Sequence, residues 1–84
     1  MYDVLISDRA EKQLKKLEKP IAERILAALE RIRLRPEAYV TKLVGDVGFK
    51  LRVGDYRILM DIDTGKLMIL VIKIGHRSSV DKNI

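Results

Sequence analysis

The chain reads as an α+β domain of order β-α-α-β-β-β, with an αα-hairpin packed on one face of a curved, mainly antiparallel sheet. Three observations predict this. Apolar residues keep a helical period through two early segments, residues 49–62 alternate around a Gly54-Asp55 turn, and residues 66–74 are apolar at nearly every position. All fall within one stretch without linker, repeat or low-complexity tract, so residues 1–84 form a single domain.

Residues 2–6 are short and β-prone, and Ser7 is a natural N-cap for the helix that follows. In that helix Ala10, Leu14 and Leu17 recur at i, i+4 and i+7. Asp8 with Lys12 and Glu11 with Lys15 supply supporting charge pairs on the exposed positions. Lys19-Pro20 interrupts the pattern, and Pro20 in a first turn starts a second helix whose Ile21, Ile25, Ala28, Leu29 and Ile32 share a face. It ends near Leu34, before Pro36. Residues 36–48 read as an irregular connection with a weakly β-prone Thr41-Lys42-Leu43.

The first strand pair follows. A two-residue loop at Gly54-Asp55 pairs Val53 with Tyr56, Arg52 with Arg57 and Leu51 with Ile58. Alternation then sets Phe49, Leu51, Val53, Tyr56 and Ile58 on one side and Lys50, Arg52 and Arg57 on the other. Asp63-Thr64-Gly65 makes a second tight turn, and the uniformly apolar last strand predicts a central position covered on both faces.

Composition narrows the function. Seventeen Lys and Arg against twelve Asp and Glu give a net charge of +5, which favours an acidic partner. No basic tail carries that excess, so the fold must assemble any basic surface. The chain has no cysteine, which removes disulfides and thiolate metal sites and suits a reducing cytoplasm. The beginning of the chain does not read as a signal peptide, and the longest apolar run, residues 67–72, is far too short to span a membrane.

The face carrying Lys50, Arg52 and Arg57 has two readings. Like charges opposite each other on a ladder are unfavourable by about 0.2–1 kcal/mol unless an anion lies between them. These cations are therefore either ordinary solvated side chains, with Arg57 and Arg77 open to pairing with Asp55, Asp61 or Asp81, or the floor of a groove that holds a phosphate backbone.

Two segments sharpen the choice. Leu51-Arg52-Val53-Gly54-Asp55-Tyr56-Arg57 and Gly75-His76-Arg77 with Val80 three residues on, set behind a strand and two helices, make the chain resemble the RelE/ParE toxin superfamily, specifically the RelE-like mRNA interferases. The resemblance implies the toxin of a type II toxin-antitoxin system: an endoribonuclease that enters the ribosomal A site and cleaves translated mRNA without metal or cofactor. It also implies a cognate RelB-like antitoxin that covers or distorts the cationic groove.

Carried over by position, Arg57 would stabilise the transition state and Arg77 would orient the scissile phosphate. Lys50 would help to activate the 2′-hydroxyl, with Arg52, Lys73 and Lys82 contacting RNA. The chain departs from the pattern at Gly48, where a second lysine is absent, and at Asp81, where relatives carry a base-stacking tyrosine; the loss of the tyrosine implies either attenuated activity or a substitute residue. His76, able to give a proton near neutral pH, is the candidate substitute. A ParE-like DNA gyrase inhibitor and a non-catalytic RNA-binding module are the competing expectations.

Overall fold

The computed structural model describes residues 1–45 and 48–80, with the side chains of Ser79 and Val80 excepted. A five-stranded sheet has the order β1-β5-β4-β3-β2, built from β1 (Asp3–Ile6), β2 (Val40–Lys42), β3 (Phe49–Val53), β4 (Tyr56–Asp63) and β5 (Met68–His76). Helices α1 (Asp8–Lys15) and α2 (Lys19–Arg31) pack on one face, and a short helix α3 (Arg77–Val80) follows β5. Only β1 against β5 is parallel; the other three pairings are antiparallel.

Each element follows from its residues. Ser7 caps α1 by accepting from the Ala10 amide at 3.1 Å, while its hydroxyl donates to the Ile72 carbonyl at 3.0 Å. One side chain thus closes the helix start and ties it to β5. Ser7→Ala removes both bonds and should lower unfolding free energy by about 1–2 kcal/mol, read from a urea midpoint. Lys15 reaches Glu11 at 3.4 Å on the exposed side, one of the helix pairs that the charge spacing predicts. Pro20 lies in the first turn of α2, which buries Ile25, Ala28 and Leu29 and continues to buried Ile32.

These helix residues meet Leu51, Ile58, Met60, Ile69, Val71 and Ile74 from the sheet in one core. Beyond Val71, strand β1 no longer reaches the edge of β5. There the Gln13 side chain of α1 accepts from the Ile74 amide at 2.7 Å and takes the place of a strand neighbour.

The structure departs from the sequence reading at three points. Residues 40–42 form β2, an edge strand paired with β3, so the connection is less irregular than its composition suggests. Pairing to an existing strand supplies what weak propensity does not. The second turn extends to Leu67, with φ 54° and the Asp63 carboxylate accepting from the Lys66 amide, so β5 starts at Met68. Finally, β5 lies inside the sheet with only one face under the helices: Leu70 is 39% exposed. Its apolar run reflects strand neighbours on both sides, not layers above and below.

A bulge reconciles the run with the core. The register changes between Leu59, opposite Lys73, and Met60, opposite Val71, so Ile72 has no partner on β4. Val71 and Ile74 both face the helices because of that extra residue.

Candidate nucleic-acid interface

The hairpin forms in the predicted register: Arg52 opposite Arg57, Leu51 opposite Ile58 and Val53 opposite Tyr56. Gly54, first residue of the loop, has φ +59°, the left-handed conformation such turns demand. Leu51 and Ile58 are buried under the helices, which sends Lys50, Arg52 and Arg57 to the opposite face.

Strand β5 extends this set. Lys73 lies opposite Leu59, which lies opposite Lys50, and Thr41 of β2 lies opposite Lys50 on the far side. One row across the sheet is therefore Thr41, Lys50, Leu59 and Lys73. The next row is Arg52, Arg57 and Gly75. Arg52 is exposed, while Lys50, Arg57 and Lys73 are half-buried, and the Nη1 of Arg57 is itself buried. The Arg52 Nε donates to the Gly54 carbonyl at 3.4 Å, which holds it toward the turn.

The cationic strand rows stop at the bulge, and Lys66 beyond it belongs to the turn before β5. Beyond it the same face carries Leu5 and Leu70 beside Asp61, Asp63, Met68 and Lys66, around a shallow depression of about 610 Å3. A phosphate chain is attracted to the half nearer the hairpin tip and repelled by the carboxylates of the other.

Arg77 is brought to the cationic half through its backbone. Its amide donates to the Asp55 carbonyl at 2.8 Å, fastening the start of α3 to the hairpin turn. The arginine predicted from the terminal segment and the one predicted from the hairpin thus meet at one end of the sheet, although some twenty residues separate them.

His76 does not join them. It lies opposite Tyr56 in the ladder, and the two rings touch edge to face with centroids 5.5 Å apart and planes at 84°. Since Tyr56 alternates with Arg57, His76 sits on the helix side of the strand end and not beside Arg57. The place beside Arg57 that its expected role as proton donor requires is corrected by strand alternation. Lys82, and with it Asp81, lies outside the described residues.

Three residues at this end of the sheet were not legible beforehand. Thr41 needs β2 to be recognised as a strand. Ser78, whose Oγ lies 3.0 Å from His76 Nδ1, depends on the turn into α3. Arg24 of α2 places its guanidinium beside Gly54, where a β-carbon would lie 3.4–3.8 Å from Nη2, Nη1 and Cζ.

The sequence profile of the family described as the ParE toxin of type II toxin-antitoxin system, parDE, matches residues 4–80. The chain belongs to this toxin family. Solved structures agree on the fold and place it in the wider RelE/ParE toxin superfamily. The RelBE2 toxin-antitoxin complex of Mycobacterium tuberculosis aligns at TM-score 0.83 and 25% identity over 90% of this chain and 98% of the other. The intact Escherichia coli RelBE complex gives 0.77 and 26% over 90% and 96%. The archaeal RelE-RelB complex of Pyrococcus horikoshii gives 0.76 and 25% over 93% and 97%. No curated protein matches the chain. The α+β fold with two helices on a mainly antiparallel open sheet is thus that of RelE toxins. Among the described residues, no helix of this toxin is long and apolar enough to cross a membrane.

Proposed function

We propose that this toxin is a ribosome-dependent endoribonuclease that cleaves translated mRNA in the A site, and that a RelB-like antitoxin restrains it. The observation that carries this reading is the register that sets Lys50, Arg52, Arg57 and Lys73 on the helix-free face, with Arg77 fastened to the hairpin turn at the same end. Like-charged rows of this kind are costly in a bare protein and favourable around a phosphodiester.

The reaction follows from where charge develops. A ribose 2′-oxygen attacks the adjacent phosphorus, the bond to the 5′-oxygen breaks, and a 2′,3′-cyclic phosphate and a 5′-hydroxyl result. Guanidinium groups of Arg57 and Arg77 neutralise the charge that accumulates on the non-bridging oxygens, where paired donors count most. Lys50 favours the 2′-oxyanion as its proton passes to water, and the 5′-oxygen takes a proton from water. Arg52 and Lys73 hold flanking phosphates. In this scheme side-chain cations carry the charge without a metal or cofactor, and the work is done in the cytoplasm, where ribosomes are.

The antitoxin reading rests on the M. tuberculosis, E. coli and P. horikoshii relatives, which are toxin-antitoxin complexes. The family description favours a second reading, a ParE-like DNA gyrase inhibitor. End-group analysis separates the two: programmed ribosomes incubated with the toxin should yield mRNA fragments ending in cyclic phosphate. Intact mRNA together with blocked gyrase supercoiling would favour the second.

A further inference from the structure

Lys50, Arg52, Arg57 and Lys73 are placed by strand pairing, whereas Arg77 lies beyond the strands, at the start of the four-residue helix α3. A helix this short makes almost none of its own bonds, so its first amides need partners from outside. Two are at hand. The Arg77 amide donates to the Asp55 carbonyl at 2.8 Å, and the next amide, that of Ser78, donates to His76 Nδ1 at 3.3 Å. These amides belong to the peptide units before and after Arg77. Anchoring both planes fixes the φ and ψ of Arg77, and with them the direction in which its side chain leaves the backbone.

The anchor at His76 is itself held. Its ring stands edge to face against Tyr56, its partner in the ladder of β4 and β5, and the Ser78 Oγ lies 3.0 Å from the same Nδ1. Accepting from an amide requires a bare Nδ1, so the neutral ring carries its proton on Nε2. Tyr56 precedes Arg57 on β4, and the ring contact thus ties the start of α3 to the strand that carries the hairpin arginine. We infer that His76 is a positioning residue: as the N-cap of α3 it fixes Arg77 relative to Arg57, and it neither touches RNA nor transfers a proton. The inference rests on the ribonuclease reading, in which Arg77 orients the scissile phosphate. It gives the histidine a task that its helix-side location allows. Asparagine, a preferred N-cap residue, carries Oδ1 on Cγ as histidine carries Nδ1, and can take over the acceptor without the ring.

Single-turnover cleavage of ribosome-bound mRNA at saturating toxin tests this, together with the imidazole nitrogen-15 shifts of the wild-type protein. The shifts should show the neutral ring of His76 unprotonated at Nδ1. His76→Ala should slow cleavage about tenfold, within the loss that a misplacement of an ångström produces. His76→Asn should cleave as the wild type does, although it has no ring to stack and no proton to give. In an Arg77→Ala background His76→Ala should cause no further loss, as two residues acting through one group require. A proton on Nδ1 in the neutral ring overturns the positioning role without need of any variant. So does a His76→Asn as slow as His76→Ala, a His76→Ala as fast as the wild type, or a full tenfold loss that persists without Arg77. Failure of the wild-type toxin to cleave at all overturns the ribonuclease reading and the positioning role with it.

Discussion

Arg57→Ala is expected to reduce cleavage of ribosome-bound mRNA by about 10²–10³-fold, the loss seen when a preorganised donor to a developing oxyanion is removed. Arg57 lies in the middle strand of the row Arg52, Arg57 and Gly75, and neighbouring Ile58 anchors its backbone in the core. Its guanidinium therefore approaches a bound phosphate from a rigid strand and not from a loop. The variant should keep the melting temperature of the parent to within a few degrees, because the residue is only half-buried and the strand ladder is untouched. Single-turnover cleavage with a melting curve on the same sample separates the two effects.

Ile58→Ala should do the reverse. Ile58 is fully buried at the centre of the sheet, between Leu51 on β3 and Ile74 on β5. Removing three carbons there loses transfer energy and leaves a cavity that flanking strands cannot collapse into, about 2–5 kcal/mol in comparable sites. At about 0.05–0.15 kcal/mol per residue, an 84-residue domain has total stability of the same order. The urea midpoint should therefore fall by a large fraction of its value. Whatever remains folded at low temperature should still cleave RNA, since the helix-free face loses no group.

The contrast shows how much was readable in the chain. Helix periods, the Ser7 cap, Pro20 and the Gly54-Asp55 turn are local signals, and they gave the two helices with ends a few residues off and the hairpin register to the residue. Once the register was known, alternation gave the cationic face with Lys50, Arg52 and Arg57. Non-local features stayed hidden. Strand β2 has little propensity and exists because β3 offers it an edge. The bulge at Ile72 is invisible in an unbroken apolar run, yet it decides which β5 residues meet the helices. His76 is the proton donor expected in place of the missing tyrosine, whereas pairing with Tyr56 puts it behind the cations. Arg24 stood in an ordinary helical pattern, and only the close approach of α2 to the turn reveals it.

The division of the helix-free face bears on the same question. Lys50, Arg52, Arg57 and Lys73 crowd one half, and Asp61 and Asp63 occupy the other. Such a partition limits the length of strand the face can hold and favours a short segment presented from elsewhere over a long free RNA. A ribosome presenting one codon at a time meets that condition.

The central claim is most directly tested by primer-extension mapping of mRNA after brief induction of the toxin in cells, with Arg57→Ala in parallel. New 5′ ends inside translated codons, absent with Arg57→Ala and absent from untranslated regions, are the predicted result. Growth arrest with messages intact would contradict it.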